Sequence, residues 1–421
     1  MSVATPGAPW SARFRALRHR NFRLFWYGQI VSVIGTWMQS VAQGWLMHRL
    51  TDSAFMLGLL GFVQLLPVML LTLWAGVIAD RVDKRRLIMI TQSLSLVQAA
   101  LLALVVSLGV VQPWMVLVLA LMFGVVSAFD LPARQSFLIE MVGKDDLPNA
   151  IALNSAAFNA ARVAGPAVAG LVLATAGEAT CFWVNAVSYL AVVVVLSRMS
   201  LAPRAAEAAA PGALREGIDY ALSVPPIRNL LILLGITTSL GFQYNVLLPV
   251  YARDILHAGE QAYGLMTSAF GVGSLLSGVV LTRTLDRWAL RRNLLLGLGT
   301  SALGMAGFAW SRSLPLTLAM GLFAGFGLIL YVASTNTMLQ LSTEDRFRGR
   351  IMGLYTFMFI GTAPVGALLA GEVAQHWGAP IATSISAFVL FGGAVWCFFR
   401  LRVLAAREAA QAVPAFTEKM G

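Results

Sequence analysis

The chain is 421 residues long, 58% of them hydrophobic and only 12% charged, with a mean hydropathy of +0.76. Soluble domains carry roughly 25% charged residues, and a water-facing surface for a chain of this length cannot be assembled from so few, so an array of soluble domains is excluded. The formal net charge of +11 is spread over short loops between apolar runs, a pattern of membrane topology and not of a nucleic-acid surface; membrane lipid is an expected partner and nucleic acid is not.

The chain opens on a basic arm in which Trp10, Phe14 and Leu17 recur at helical spacing among Arg13, Arg15, Arg18 and Arg20. That pattern fits a short helix on the membrane surface, with a disordered basic arm as the alternative. Next comes a stretch without Asp, Glu, Lys or Arg over 24–48, too long for a signal-peptide core and lacking a small-residue cleavage pattern at the expected place, hence a retained spanning helix. Further stretches cover 53–79, 87–129, 147–177 (interrupted by Arg162) and 179–197, then 229–252, 261–282, 293–311, 313–343, 351–371 and 373–399. A spanning helix takes about 20 apolar residues, so 87–129 is two helices divided near 109–113. The expected fold is an all-α membrane protein of twelve transmembrane helices in two six-helix bundles. Residues 1–199 would form the arm and first bundle, 200–226 a cytoplasmic linker, 227–403 the second bundle and 404–421 a tail. The Ala- and Pro-rich linker leaves the bundles free to move relative to each other.

Short cytoplasmic loops retain Lys and Arg. With the amino terminus inside, that face collects 26 of the 30 basic residues, against Arg49, Arg253 and Arg312 outside and Arg162 within a span. Both termini and the linker are therefore expected in the cytoplasm, with the helices in a cell inner membrane. Cys181 and Cys397 fall near opposite faces and cannot pair. His19, His48, His257 and His376 lie far apart at helix ends, and no phosphate-binding Gly-rich loop is present. No metal, no cofactor and no catalytic residues are expected, which sets a membrane-embedded enzyme behind a transporter.

The halves echo each other, as in transporters built from repeated bundles. DRVDKRR (80–86) follows the second helix and DRWALRR (286–292) the eighth; the fifth carries AGPAVAG (164–170) and the eleventh APVGALLAG (363–371). The string GVIADRVDKRR (76–86) resembles the signature loop of the major facilitator superfamily, Gly-x-x-x-Asp-Arg-x-Gly-Arg-Arg. Gly76, Asp80, Arg81, Lys84 and Arg85 match, while Asp83 stands where the family usually has glycine. The resemblance implies the major facilitator fold and a conformational switch in which this loop meets the cytoplasmic start of the eleventh helix (RGRIMG, 348–353) and shuts the cytoplasmic side. IGTWMQSVAQGWL (34–46), AFDLPARQSF (128–137), NAIALNSAAFNAARVAGPAVAG (149–170) and RGRIMGLYTF (348–357) resemble, more narrowly, the exporter subgroup that includes the enterobactin exporter and macrolide efflux proteins.

Gly165, Pro166, Ala169 and Gly170 resemble the antiporter motif Gly-Pro-x-x-Gly-Gly of that superfamily's fifth helix, with Ala169 replacing a glycine; plain small-residue packing is the competing reading. Helices five and eleven are expected to form the seam about which the bundles rock. Arg162 is the one charge well inside a hydrophobic stretch, where a charge usually faces a cavity or a partner. Pairing with Asp130 is the first reading and binding an anionic substrate group the second, while Asp130 and Arg134 at i, i+4 can also satisfy each other. Gln29, Ser32, Thr36, Gln39 and Gln43 step along the first helix at three and four, a polar stripe expected to line the substrate cavity, joined by Gln243, Tyr244, Asn245, Tyr331, Asn336 and Gln64; helix-to-helix hydrogen bonding is the competing reading of the stripe. No acidic residue lies deep in a span, which leaves Asp130, at the inner membrane boundary, as the candidate for proton coupling, behind a structural role as its first reading. The expected function is secondary active export of a small organic molecule such as a drug or siderophore, by proton antiport with alternating access and as a monomer; an importer or a lysophospholipid flippase of the same fold is the alternative.

Overall fold

A computed structural model describes residues 14–199, 213–281 and 287–412. After a 3-10 turn at Arg15–Arg18, α1 spans Arg20–Thr51, α2 Ala54–Arg81 and α3 Lys84–Ser107. The helical run Pro113–Ser197 is three helices, folded back at Gly143 (φ 73) and Gly177 (φ 78), left-handed conformations that glycine adopts without a Cβ penalty. They are α4 (113–142), α5 (144–176) and α6 (178–197). A surface helix, Ala213–Ser223, precedes α7 (Pro225–Ile255), α8 (Gly259–Leu281), α9 (Arg287–Trp310), α10 (Leu314–Ser342), α11 (Asp345–Trp377) and α12 (Ala379–Ala412). The twelve helices form the two six-helix bundles expected. α7 and α11 are loosened by π-helical turns at Thr237–Gly241, Tyr251–Ile255 and Phe357–Gly361, devices that interrupt a ladder without ending the helix. Of the expected linker, 200–212 lies outside the described residues; the tail is helical as far as Ala412, and 413–421 lies outside them too.

The connection between α2 and α3 lies on the face with the basic loops, called here the basic face. Asp83 caps α3 by accepting a hydrogen bond from the Arg86 backbone N–H at 3.0 Å, which gives a local reason for an aspartate where the family pattern has glycine. Lys84 pairs with Glu140 of α4 at 2.8 Å. Arg85 donates to the carbonyls of Leu196 and Ser197, at 2.8 and 2.9 Å, placing its charge at the negative end of α6. The arm is tied down as well: Arg15 and His19 both bond Asp146, and Asn149 Oδ1 accepts from the Ala16 backbone N–H. Trp10 and Arg13 lie outside the described residues. The surface helix holds the second bundle through Arg350 on Glu216 at 2.5 Å and Tyr220 stacked on Phe347 at 4.1 Å.

Between bundles the contacts are one-sided. Toward the face opposite the basic loops, α2 meets α11 where a Cβ on Gly58 would stand 2.6 Å from Ala367 O and 2.9 Å from Gly371 Cα. There also α5 meets α8, a Cβ on Gly264 falling 2.4 Å from Pro166 O and 2.8 Å from Gly170 Cα. Polar links add to the closure: His48 Nε2 to Asp254 at 2.8 Å, Arg253 to Asp52 at 2.7 Å, and Ser53 Oγ to Gln375 at 2.8 Å. Toward the basic face, a Cβ on Gly76 of α2, Gly278 of α8 or Gly353 of α11 would meet nothing within 4 Å. The molecule is thus shut on one face and parted on the other. The expected seam of helices five and eleven is corrected: α5 closes on α8, and α11 closes on α2.

Candidate functional site

Two adjoining cavities lie in the opening. The first, about 640 Å³, is lined by residues of the first bundle together with Ile360 of α11. The second, about 480 Å³, lies between the bundles, with walls from α1, α2, α5, α7, α8, α10 and α11. Trp37, Ser40, Gln64 and Leu65 line both.

The α1 stripe divides. Gln29, Ser32 and Thr36 face the first cavity, and the Thr36 hydroxyl bonds Tyr189 at 3.0 Å. Gln39 turns into the bundle, where it donates to Gln98 at 3.0 Å and accepts from Asn185 at 2.8 Å. Gln43 is buried with its Nε2 unpartnered and lines neither cavity. From α7, Gln243, Tyr244 and Asn245 line the central cavity. Tyr331 is fully buried, its hydroxyl accepting from Thr237 at 3.1 Å, and Asn336 accepts from Gln340 at 2.6 Å; both lie off the cavity walls. Sequence spacing alone passed over Ser40 and Trp37 on α1 and Tyr263, Thr267 and Phe270 on α8, which complete the central wall. The i, i+4 step from Tyr263 to Thr267, followed by Phe270, was the available signal.

Asp130 sits in the first cavity and accepts from Thr91 at 2.6 Å, from Gln92 at 3.2 Å and from Arg134. Arg134 also lies over the Phe25 ring at 5.9 Å, with Nη1 buried and unpartnered. The Arg162 to Asp130 pair is not formed: Arg162 lines the central cavity while Asp130 is held by α3 and by its own helix. Its backbone is placed by Pro166, which lacks the N–H that would have bonded the Arg162 carbonyl; that carbonyl faces α8, 3.1 Å from where a Gly271 Cβ would stand. Gly165 packs inward on α1, a Cβ there meeting Trp37 Cβ at 2.6 Å, whereas Gly170 lies on the α8 seam and Ala169 is fully buried. In the signature loop Gly76 has open space beside it and Arg81 is exposed. The side chain of Asp80 lies outside the described residues.

A model of the transmembrane secretion effector family, a branch of the major facilitator superfamily, matches residues 11–420. The chain belongs to this family. Relatives match across most of its length. The staphyloferrin A transporter of Staphylococcus aureus is 27% identical over 85% of this chain and 90% of its own. The multidrug efflux pump Tap of Mycolicibacterium fortuitum is 28% identical over 84% and 89%, and the enterobactin exporter EntS of Escherichia coli 24% identical over 88% and 89%. In architecture the chain is similar to the nucleoside transporter NupG, with a TM-score of 0.73 at 14% identity over 90% of this chain and 98% of that one. The transmembrane secretion effectors are transporters and not enzymes; apart from Asp130 and Arg134 in the first cavity and Arg162 in the second, the side chains lining the two cavities are neutral. Among the described residues no cluster of metal-ligating side chains occurs.

Proposed function

We propose that this secretion effector is a secondary active exporter of a small organic molecule, working by alternating access in the inner membrane with both termini in the cytoplasm. The observation that carries the reading is the central cavity, set between bundles joined at one face and parted at the face bearing the basic loops. A cavity open to the cytoplasm takes its cargo there, and release on the far side needs the Gly58 and Gly264 contacts to part. Siderophores and drugs are the cargo named for relatives, and a molecule of that size suits the cavity volume.

Inward proton flow is the proposed drive, with Asp130 as the proton-binding group. Its partners Thr91, Gln92 and Arg134 come from two helices, so a small shift between α3 and α4 changes the hydrogen bonds the carboxylate accepts. The protein acts as a monomer in this reading, without cofactor.

Accumulation of dyes, antibiotics and siderophores in expressing and deletion cells tests the direction: an exporter lowers the cellular level, an importer raises it, and a lysophospholipid flippase moves labelled lysolipid instead. In reconstituted vesicles an imposed pH gradient should drive the identified cargo uphill, and Asp130→Asn should lose that drive while keeping downhill exchange. A wild type indifferent to the gradient rules out proton coupling.

A further inference from the structure

We infer that Arg162 is the anion-recognition residue of the central cavity, and that the cargo carries a carboxylate or comparable oxyanion on an aromatic or apolar body. This rests on the proposal that the cavity is the transport site and adds the chemistry of what enters.

Among the described residues, Arg162 is the only charged side chain on the wall of the central cavity. It is half-buried, and among the described residues its guanidinium makes no hydrogen bond and no ion pair. Asp130 is held by Arg134, Thr91 and Gln92 in the neighbouring cavity, and Asp254 and Asp52 pair with His48 and Arg253 at the closed face. A guanidinium has five N–H donors and no acceptor, and a cation within a membrane span is unfavourable unless it meets a partner or water. A fork of donors with no protein acceptor, aimed into a cavity between two moving bodies, is a receptor for an anion.

The rest of the wall supplies the body's contacts. Tyr244 stacks on Phe270 at 3.7 Å and Tyr263 on Trp45 at 6.1 Å, with Trp37 and Phe359 beside them. Gln243, Asn245 and Thr267 offer neutral hydrogen-bonding groups. The position also suits coupling. The Arg162 carbonyl lies against α8 at Gly271, so an anion on this side chain is held at the seam where the bundles touch.

Fluorescein and rhodamine 6G share a fused xanthene ring system and differ in charge, anionic against cationic at neutral pH. Their binding to the purified full-length protein can be followed by fluorescence polarisation. The wild type should favour fluorescein; Arg162→Gln should weaken fluorescein by about tenfold, the scale of one hydrogen bond to a charged group, and leave rhodamine 6G unchanged or tighter. Arg162→Lys should retain the anion preference. Arg162 has no hydrogen bond to lose, so the melting temperature of Arg162→Gln should not fall. No preference for the anion in the wild type, binding of neither dye included, or a preference unchanged in Arg162→Gln, overturns the inference. Dye efflux from cells expressing the wild type is scored separately: efflux with no charge preference removes the anion site and spares the transport reading, and charge-selective binding without efflux does the reverse.

Discussion

Gly58 and Gly371 bring α2 and α11 backbone to backbone, and Gly58→Val tests whether that contact closes the face opposite the basic loops. The added Cβ would stand 2.6 Å from the Ala367 carbonyl oxygen and 2.9 Å from Gly371 Cα. Neither obstacle is a flexible side chain. Carbon contacts settle at about 3.5–4 Å, so the helices must separate by roughly 1 Å. Overpacking of this kind costs about 1–3 kcal/mol. Because each 1.4 kcal/mol is about a factor of ten, the balance between this state and one open at the opposite face should move on the order of ten- to a hundredfold. The contact lies between bundles, so membrane insertion should be retained. The assay places Leu248→Cys, a buried residue on the central wall, in a chain whose buried Cys181 and Cys397 are replaced by alanine. A membrane-impermeant maleimide added to intact cells should label it slowly with Gly58 and at least several-fold faster with Gly58→Val. Unchanged labelling of correctly inserted protein would refute the reasoning.

Further outcomes can be measured directly. Reporter fusions after Arg215 and His257 should report opposite compartments, and a shared compartment contradicts the orientation. Asp83→Ala should lower stability by about 1 kcal/mol through loss of the α3 cap, while Asp83→Gly should cost only a few tenths; melting temperatures of the purified variants compare the two. Gly165→Leu should reduce the yield of folded protein because it strikes Trp37 within the first bundle. Gly264→Leu, striking Pro166 O across the seam, should spare the yield and raise labelling of the central cavity from outside.

Twelve spans and their grouping were legible because each charge-free stretch is long enough to cross lipid and short loops carry the charge. What the pattern could not carry was which neighbour each face would meet. Gln39 belongs to the α1 stripe by spacing, yet Gln98 and Asn185 on α3 and α6 offer it a buried network. Arg162 and Asp130 both read as charges wanting a partner. Asp130 found three within reach of α3 and α4, at positions 91, 92 and 134. The π-helical turns in α7 and α11 leave no mark in composition.

α2 and α11 each carry a pair of glycines eighteen residues apart, Gly58 with Gly76 and Gly353 with Gly371. At 1.5 Å per residue that is about 27 Å, close to the hydrocarbon thickness of a bilayer, so each helix has a close-approach position near either face. The helices run antiparallel, which sets Gly58 opposite Gly371 and Gly76 opposite Gly353. Only the first pair is in contact here; the second stands open. When the bundles rock as units, closing Gly76 on Gly353 parts Gly58 from Gly371. A bulky residue at Gly76 or Gly353 meets nothing in the present state and should leave its stability unchanged, while hindering the alternative state. Gly353→Val should therefore slow the labelling of Leu248→Cys from outside, the reverse of Gly58→Val. The two substitutions together should partly cancel, because each penalises one end of the same rocking motion.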